Sequence, residues 1–95
     1  MEQRERVLHI KSGGQEFEIR WEIIRQLVMN PQVTAVPGAP SQAAGIMEFE
    51  GELLGVYYPG PVMEMAVCAV VLRREDGGSY GLLADVIDGG NYGDS

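Results

Sequence analysis

The sequence predicts a mainly β chain: a small, strongly curved barrel of the SH3-like kind with one short helix. Short apolar runs recur along the chain, and one of them, Glu16 to Trp21, alternates cleanly between apolar and charged residues, the period of a half-buried strand. Thirteen glycines in 95 residues punctuate or interrupt these runs, as bulges and tight barrel corners require. Helical spacing is confined to one stretch, "WEIIRQLVM", against roughly seven short strands.

Taken in order, "VLHI" and "EFEIRW" flank "KSGGQ", which reads as a β-hairpin with a glycine turn; Phe17, Ile19 and Trp21 share one face and Glu16, Glu18 and Arg20 the other. Ile23, Ile24, Leu27 and Val28 then fall at helical spacing, and Asn30-Pro31 ends the segment because the residue before proline disfavours helix. A helix of two to three turns is expected there. Pro37 and Pro40 fix φ and lack a donor N–H, so the chain must turn or run along an edge between them. A polyproline ligand is the alternative, and it fits poorly because the segment runs straight into apolar strands. Ile46 and Phe49 begin a strand, Gly51 breaks it, and "ELLGVYY" resumes it. "PGPVME" is a connector. "MAVCAVVL" is apolar without alternation, as expected of a strand covered on both faces, and "RREDGGS" leads into "YGLLADVI". The tail from residue 89 to 95 is small and polar and is expected to be flexible, leaving an ordered core over about 7 to 88 in one domain.

Composition excludes several function classes. Hydrophobic residues make up 45% and charged residues 22%, the proportions of a folding domain. The formal charge of −7 repels phosphate backbones and anionic membranes, so nucleic acid is not an expected partner. The longest apolar run, Met65 to Leu72, is far short of the ~20 residues that span a bilayer, and the charged N-terminus has no apolar core of signal-peptide length. A soluble, cytoplasmic protein is expected. Cys68 is the one cysteine and sits within the apolar run, where a buried, inert thiol is the ordinary outcome.

No residue pattern here reads as an active site, and neither metal nor cofactor is expected. His9 is the single histidine, on the strand face opposite Leu8 and Ile10, with no partner ligand. Asp85, Asp88 and Asp94 lack the spacing and terminal glutamate of a calcium loop. Glu48 and Glu50 read as a solvated acidic stripe rather than a catalytic pair. Ser12, Ser41, Ser79 and Ser95 lack any nucleophile-elbow context, and the Gly-Gly turns are not phosphate loops.

The motifs "WEIIRQLV", "VTAVPGAP", "GIMEFEG", "LLGVYY" and "YGLLADVI", in that order, resemble the CheW family, coupling domains that link chemoreceptors to their histidine kinase. The family pattern is a hairpin, a short helix, a Val-Pro-x-x-Pro segment, a strand ending Asn-Leu-Arg-Gly, a Pro-Val strand and a Gly-Leu-Leu-Val-Asp-x-Val strand. The resemblance covers residues 7 to about 88. It implies a non-enzymatic adapter that binds a histidine kinase regulatory domain or a chemoreceptor, and it assigns receptor contacts to the position of Glu50. Apolar surface around the glycine-bounded strands, Ile46, Phe49, Leu53 and Val56, is expected to supply part of the interface together with Gly51 and whichever of Tyr57 and Tyr58 is exposed. A degenerate domain of the same fold, self-associating in a structural or regulatory role without receptor coupling, is the alternative.

The departures are specific. Glu50 stands where the family carries an arginine assigned to receptor contacts, Gly55 where it carries proline, and Tyr58 where it carries aspartate. Against a family fold of two linked five-stranded barrels, these residues supply the strands of about one and a half. Strands without neighbours are templates for pairing, so a homodimer is expected, by strand exchange or by completion against a partner's barrel. A compact monomer around a reduced core is the alternative.

Overall fold

The computed structural model describes residues 6–63 and 66–88. Among them, eight strands form two sheets, and the chain is mainly β as the sequence predicts. The expected loose tail lies outside the described residues, as does part of the "PGPVME" connector.

Strands β1 (Val7–Ser12) and β2 (Gln15–Arg20) form the expected hairpin. Gly13 and Gly14 both take positive φ, 62° and 88°, the two-residue turn whose twist matches that of antiparallel strands. Alternation places Leu8, Ile10 and Ile19 in the core and leaves Glu16 and Glu18 exposed. A short strand, β8 (Val86–Asp88), pairs antiparallel with β1 and completes a three-stranded sheet in the order β2-β1-β8.

The expected helix is not formed beyond a single 3-10 turn, Trp21–Ile23; Ile24–Met29 is a strand, β3. The reason lies in its pairing with β6 (Cys68–Arg73). The register shifts between Ile24 and Gln26, a bulge that leaves both Arg25 and Gln26 exposed. Beyond it, Leu27 packs into one apolar cluster and Val28 into another on the opposite face. A bulged strand with two apolar faces therefore reproduces the three- and four-residue spacing of a helix.

The second sheet has the order β3-β6-β7-β5-β4, where β4 is Ala43–Phe49, β5 is Glu52–Tyr57 and β7 is Ser79–Ala84. All its pairs are antiparallel except β5 with β7. β6 is its central apolar strand, and Cys68 through Leu72 are all buried. Cys68, Val70 and Leu72 face Leu8, Ile10 and Ile19 of the other sheet, while Ala69 and Val71 meet Met47, Phe49, Leu54 and Val56. The lack of alternation in its sequence reflects this double covering.

Between β3 and β4 the two prolines do make a corner. Ala39 N–H donates to the Val36 carbonyl across Pro37-Gly38, with Gly38 at φ 82°, and Ala43 N–H donates to the Pro40 carbonyl. These are two successive turns, the first with proline and glycine where a type II turn places them.

Candidate functional site

Thr34, five residues past the end of β3, exchanges both backbone hydrogen bonds with Ile46 of β4, at 2.8 and 2.9 Å. This bridge draws the segment after β3 against the outer edge of β4. Gly45 makes it possible: its φ is 149°, and a Cβ there would stand 2.0 Å from the Thr34 carbonyl oxygen. The approach leaves a groove of about 500 Å³ whose apolar lining is Val28, Pro31, Ile46, Met47 and Leu53, with Asn30, Gln32, Thr34 and Glu48 around it.

Leu53 is 70% exposed, the most exposed large apolar side chain among the described residues. Its neighbours explain the polarity of the rim. Glu48 lies directly across from it in the β4–β5 register and is exposed on the same face, whereas Glu52, the preceding residue, is exposed on the opposite face; no ion pair engages either among the described residues.

The hairpin tip is built from Glu50 and Gly51, at φ 52° and 83°. Glycine adopts this conformation freely, whereas glutamate does so at some cost. The Glu50 carboxylate accepts from Arg25 Nη2 at 3.2 Å, while Arg25 Nη1 donates to Ser79 Oγ at 2.7 Å. The same guanidinium lies 5.3 Å from the centre of the Phe49 ring. Arg25 thus links β3, β7 and the hairpin tip, and its charge is directed to Glu50 rather than to the groove rim.

Of the residues singled out in the sequence, Ile46 and Leu53 line this groove and Glu50 and Gly51 form the tip beside it. Phe49 (7% exposed) and Val56 (0%) point into the core instead and offer a partner almost no side-chain surface. Tyr57 is half-buried, its ring edge-on to Tyr80 with centroids 6.4 Å apart. Tyr58 is also half-buried and lines a separate cavity of about 220 Å³ with Ala44, Met63 and Leu83. Pro31, Gln32 and Thr34 also line the groove and Arg25 holds the tip beside it, although no motif of the sequence marks them for this. The adjacent polar residues Arg25 and Gln26 within a β-branched run were the available sign of a bulged strand.

The remaining candidates are structural. The Ser12 hydroxyl donates to the Leu83 carbonyl at 3.0 Å in the interior. His9 Nδ1 lies 3.7 Å from Glu18 on the exposed hairpin face. Burial pushes the Cys68 thiol above its ordinary range. Asp85 Oδ1 is buried without a hydrogen-bond partner. Among the described residues no three His, Cys, Asp or Glu side chains gather as a metal site, and no helix is long and apolar enough to cross a membrane. Asp94 lies outside the described residues.

No family model matches this chain, and no curated protein does. Among solved structures, the chain is similar to the scaffolding protein TtCheW from Thermoanaerobacter tengcongensis, at 14% sequence identity and a TM-score of 0.78. The match covers 90% of this chain and 63% of that one. The fold is CheW-like, and the chain spans less than two thirds of its neighbour's length.

Proposed function

We propose that this protein is a non-enzymatic adapter in chemotaxis-type signalling, docking non-covalently to a histidine kinase regulatory domain, a chemoreceptor, or both, in the cytoplasm. The observation that carries this reading is the likeness of nine tenths of the chain to a scaffolding protein. The groove beside the β4–β5 hairpin supplies the docking surface. It is concave, has an apolar floor, and exposes Leu53 at its edge, where an aliphatic side chain gains most from being covered.

The test is size-exclusion chromatography with light scattering on the chain mixed with a chemotaxis kinase regulatory domain, then with a receptor signalling tip, from the same organism. Co-elution that is lost on Leu53→Asp supports the adapter role. Failure to bind either one removes it.

A second reading is self-association without receptor coupling. The outer edges of β2 and β8 have no strand partner among the described residues, and such edges pair readily with another chain. A homodimer indifferent to kinase and receptor would favour that reading.

A further inference from the structure

The hairpin that borders the groove carries three glutamates within five residues, Glu48, Glu50 and Glu52, and among the described residues only Glu50 meets a cation, Arg25. That cation is held from behind by Ser79 and Phe49. The groove therefore presents an exposed leucine beside the Glu48 carboxylate, the one charged residue among the described residues of its lining, over a floor that includes Val28, Pro31 and Ile46; Glu52 lies on the opposite face of the hairpin. The chain's net charge of −7 acts in the same direction at longer range. A second concavity, at the β6–β7 turn, offers Arg20, Arg73 and Arg74, but Glu75 and Asp76 share its rim and it presents no single sign.

We infer that the groove selects a basic partner segment, one that places an aliphatic side chain against Leu53 with a lysine or arginine beside it to meet Glu48. This rests on the reading of the groove as a docking surface and specifies the chemistry of what docks. An acidic segment would bring like charges together at the rim, and a neutral apolar one would cover the Glu48 carboxylate without pairing it. Rim charges act mainly on partner choice and association rate, and they weaken with salt.

The experiment is an NMR titration of the isotopically labelled full chain with two synthetic peptides that share a leucine-centred sequence, one flanked by lysines and the other by glutamates. The lysine peptide is expected to shift the backbone amides of Gln32, Ile46, Glu48 and Leu53 and to bind less tightly as salt is raised. Glu48→Lys should weaken it by about threefold, since that carboxylate is solvated and contributes modestly, whereas Glu52→Lys, on the opposite face, should leave it nearly unchanged. Both substitutions are on exposed positions, so the fold should be unaffected, as the unperturbed amides of β1 and β2 will report. Equal binding of the glutamate peptide, shifts confined to another face, or no binding of the lysine peptide would overturn the inference. A kinase or receptor complex that forms but ignores Glu48→Lys would also overturn it while leaving the adapter reading intact. Conversely, a lysine preference at these amides without any kinase or receptor complex would retain the inference and remove the adapter.

Discussion

Arg25 and Glu50 are separated by 25 residues in the chain and by 3.2 Å in space, so that one ion pair joins the bulge of β3 to the tip of the β4–β5 hairpin. Glu50 occupies the position of the arginine that the CheW resemblance assigns to receptor contacts. In this chain its carboxylate, exposed at the hairpin tip, is instead paired with a guanidinium from β3.

Substitution at this pair separates its parts. The pair is solvent-exposed on the Glu50 side, so its own coupling should be about 0.2–1 kcal/mol in a double-mutant cycle. Arg25→Ala should destabilise more than Glu50→Gln, by about 1–2 kcal/mol in all, because it also removes the bond to Ser79 and the contact over Phe49. Urea unfolding of the two single variants and the double variant measures both quantities; equal losses would mean that the contacts to Ser79 and Phe49 contribute nothing.

Charge reversal at the same position tests what docks. On the inference that the groove takes a basic segment, Glu50→Arg weakens binding of the lysine-flanked peptide, since it adds a cation at the tip and frees Arg25. The CheW resemblance implies the opposite sign for a receptor tip, whose binding would strengthen. Titrating both ligands against this one variant distinguishes the two modes of recognition.

Glu50 also carries a backbone cost that asparagine would lessen. With φ of 52° followed by Gly51 at 83°, the turn is of the kind that Asn-Gly fills most readily. Glu50→Asn should regain up to about 1 kcal/mol of backbone strain and lose an ion pair of similar or smaller size. The two nearly cancel at low ionic strength. At high salt the ion pair is screened and the strain is not, so the variant should become the more stable of the two. Unfolding midpoints at low and high salt check the crossover.

Gly45 is expected to be the least replaceable glycine of the hairpin region. Gly45→Ala combines a positive φ with a Cβ placed 2.0 Å from a backbone oxygen that is itself held in the Thr34–Ile46 bridge. The loss should be on the order of 4 kcal/mol or more, a large part of the stability of so small a domain. Gly38→Ala is the control: its φ is 82°, but the space around it is open, and the cost should stay near the ~1–2 kcal/mol of the left-handed conformation alone. Equal losses in denaturant melts would show that the bridge is not a fixed feature.

Cys68 gives a pH dependence of defined sign. Burial raises its pKa above the ordinary 9.0, so the folded state holds the thiol proton more tightly than the unfolded chain does. Its contribution to stability is fully present below pH ~9 and is lost as pH rises through the folded-state value. Stability measured from pH 8 upward should therefore fall faster for the native chain than for Cys68→Ala, after allowance for that variant's lower baseline. Alkylation by iodoacetamide should require unfolding.

Local features were legible in the sequence where one strand's environment decided its pattern. The turn at Gly13-Gly14, the alternation of β2 and the double covering of Cys68 through Leu72 all follow from spacing. The bulged strand from Ile24 to Met29 has the sequence of a helix because a register shift and two apolar faces together imitate helical periodicity. Parity along β4 and β5 already separates Ile46 from Phe49 and Leu53 from Val56, yet which parity faces outward depends on packing against remote strands. The groove was not legible for the same reason: it exists because Thr34 meets Ile46, and a pairing at such separation leaves no periodic trace.

Leu53 and Leu54 are neighbours on β5 with opposite surroundings, 70% and 3% exposed, and they should respond oppositely to substitution. Leu54→Ala removes a side chain packed among Met47, Phe49 and Val71 and should cost about 2–5 kcal/mol by transfer and cavity together. Leu53→Asp alters a side chain already mostly in water and should leave stability within about 0.5 kcal/mol of the parent. Its effect should fall on binding, through loss of the aliphatic anchor and the addition of a charge to the groove. Parallel urea melts and binding measurements separate the two roles. A Leu53 variant that unfolds as readily as the Leu54 variant would place Leu53 in the core and remove the groove as a docking surface, whereas one that folds fully and binds as before would remove it on functional grounds.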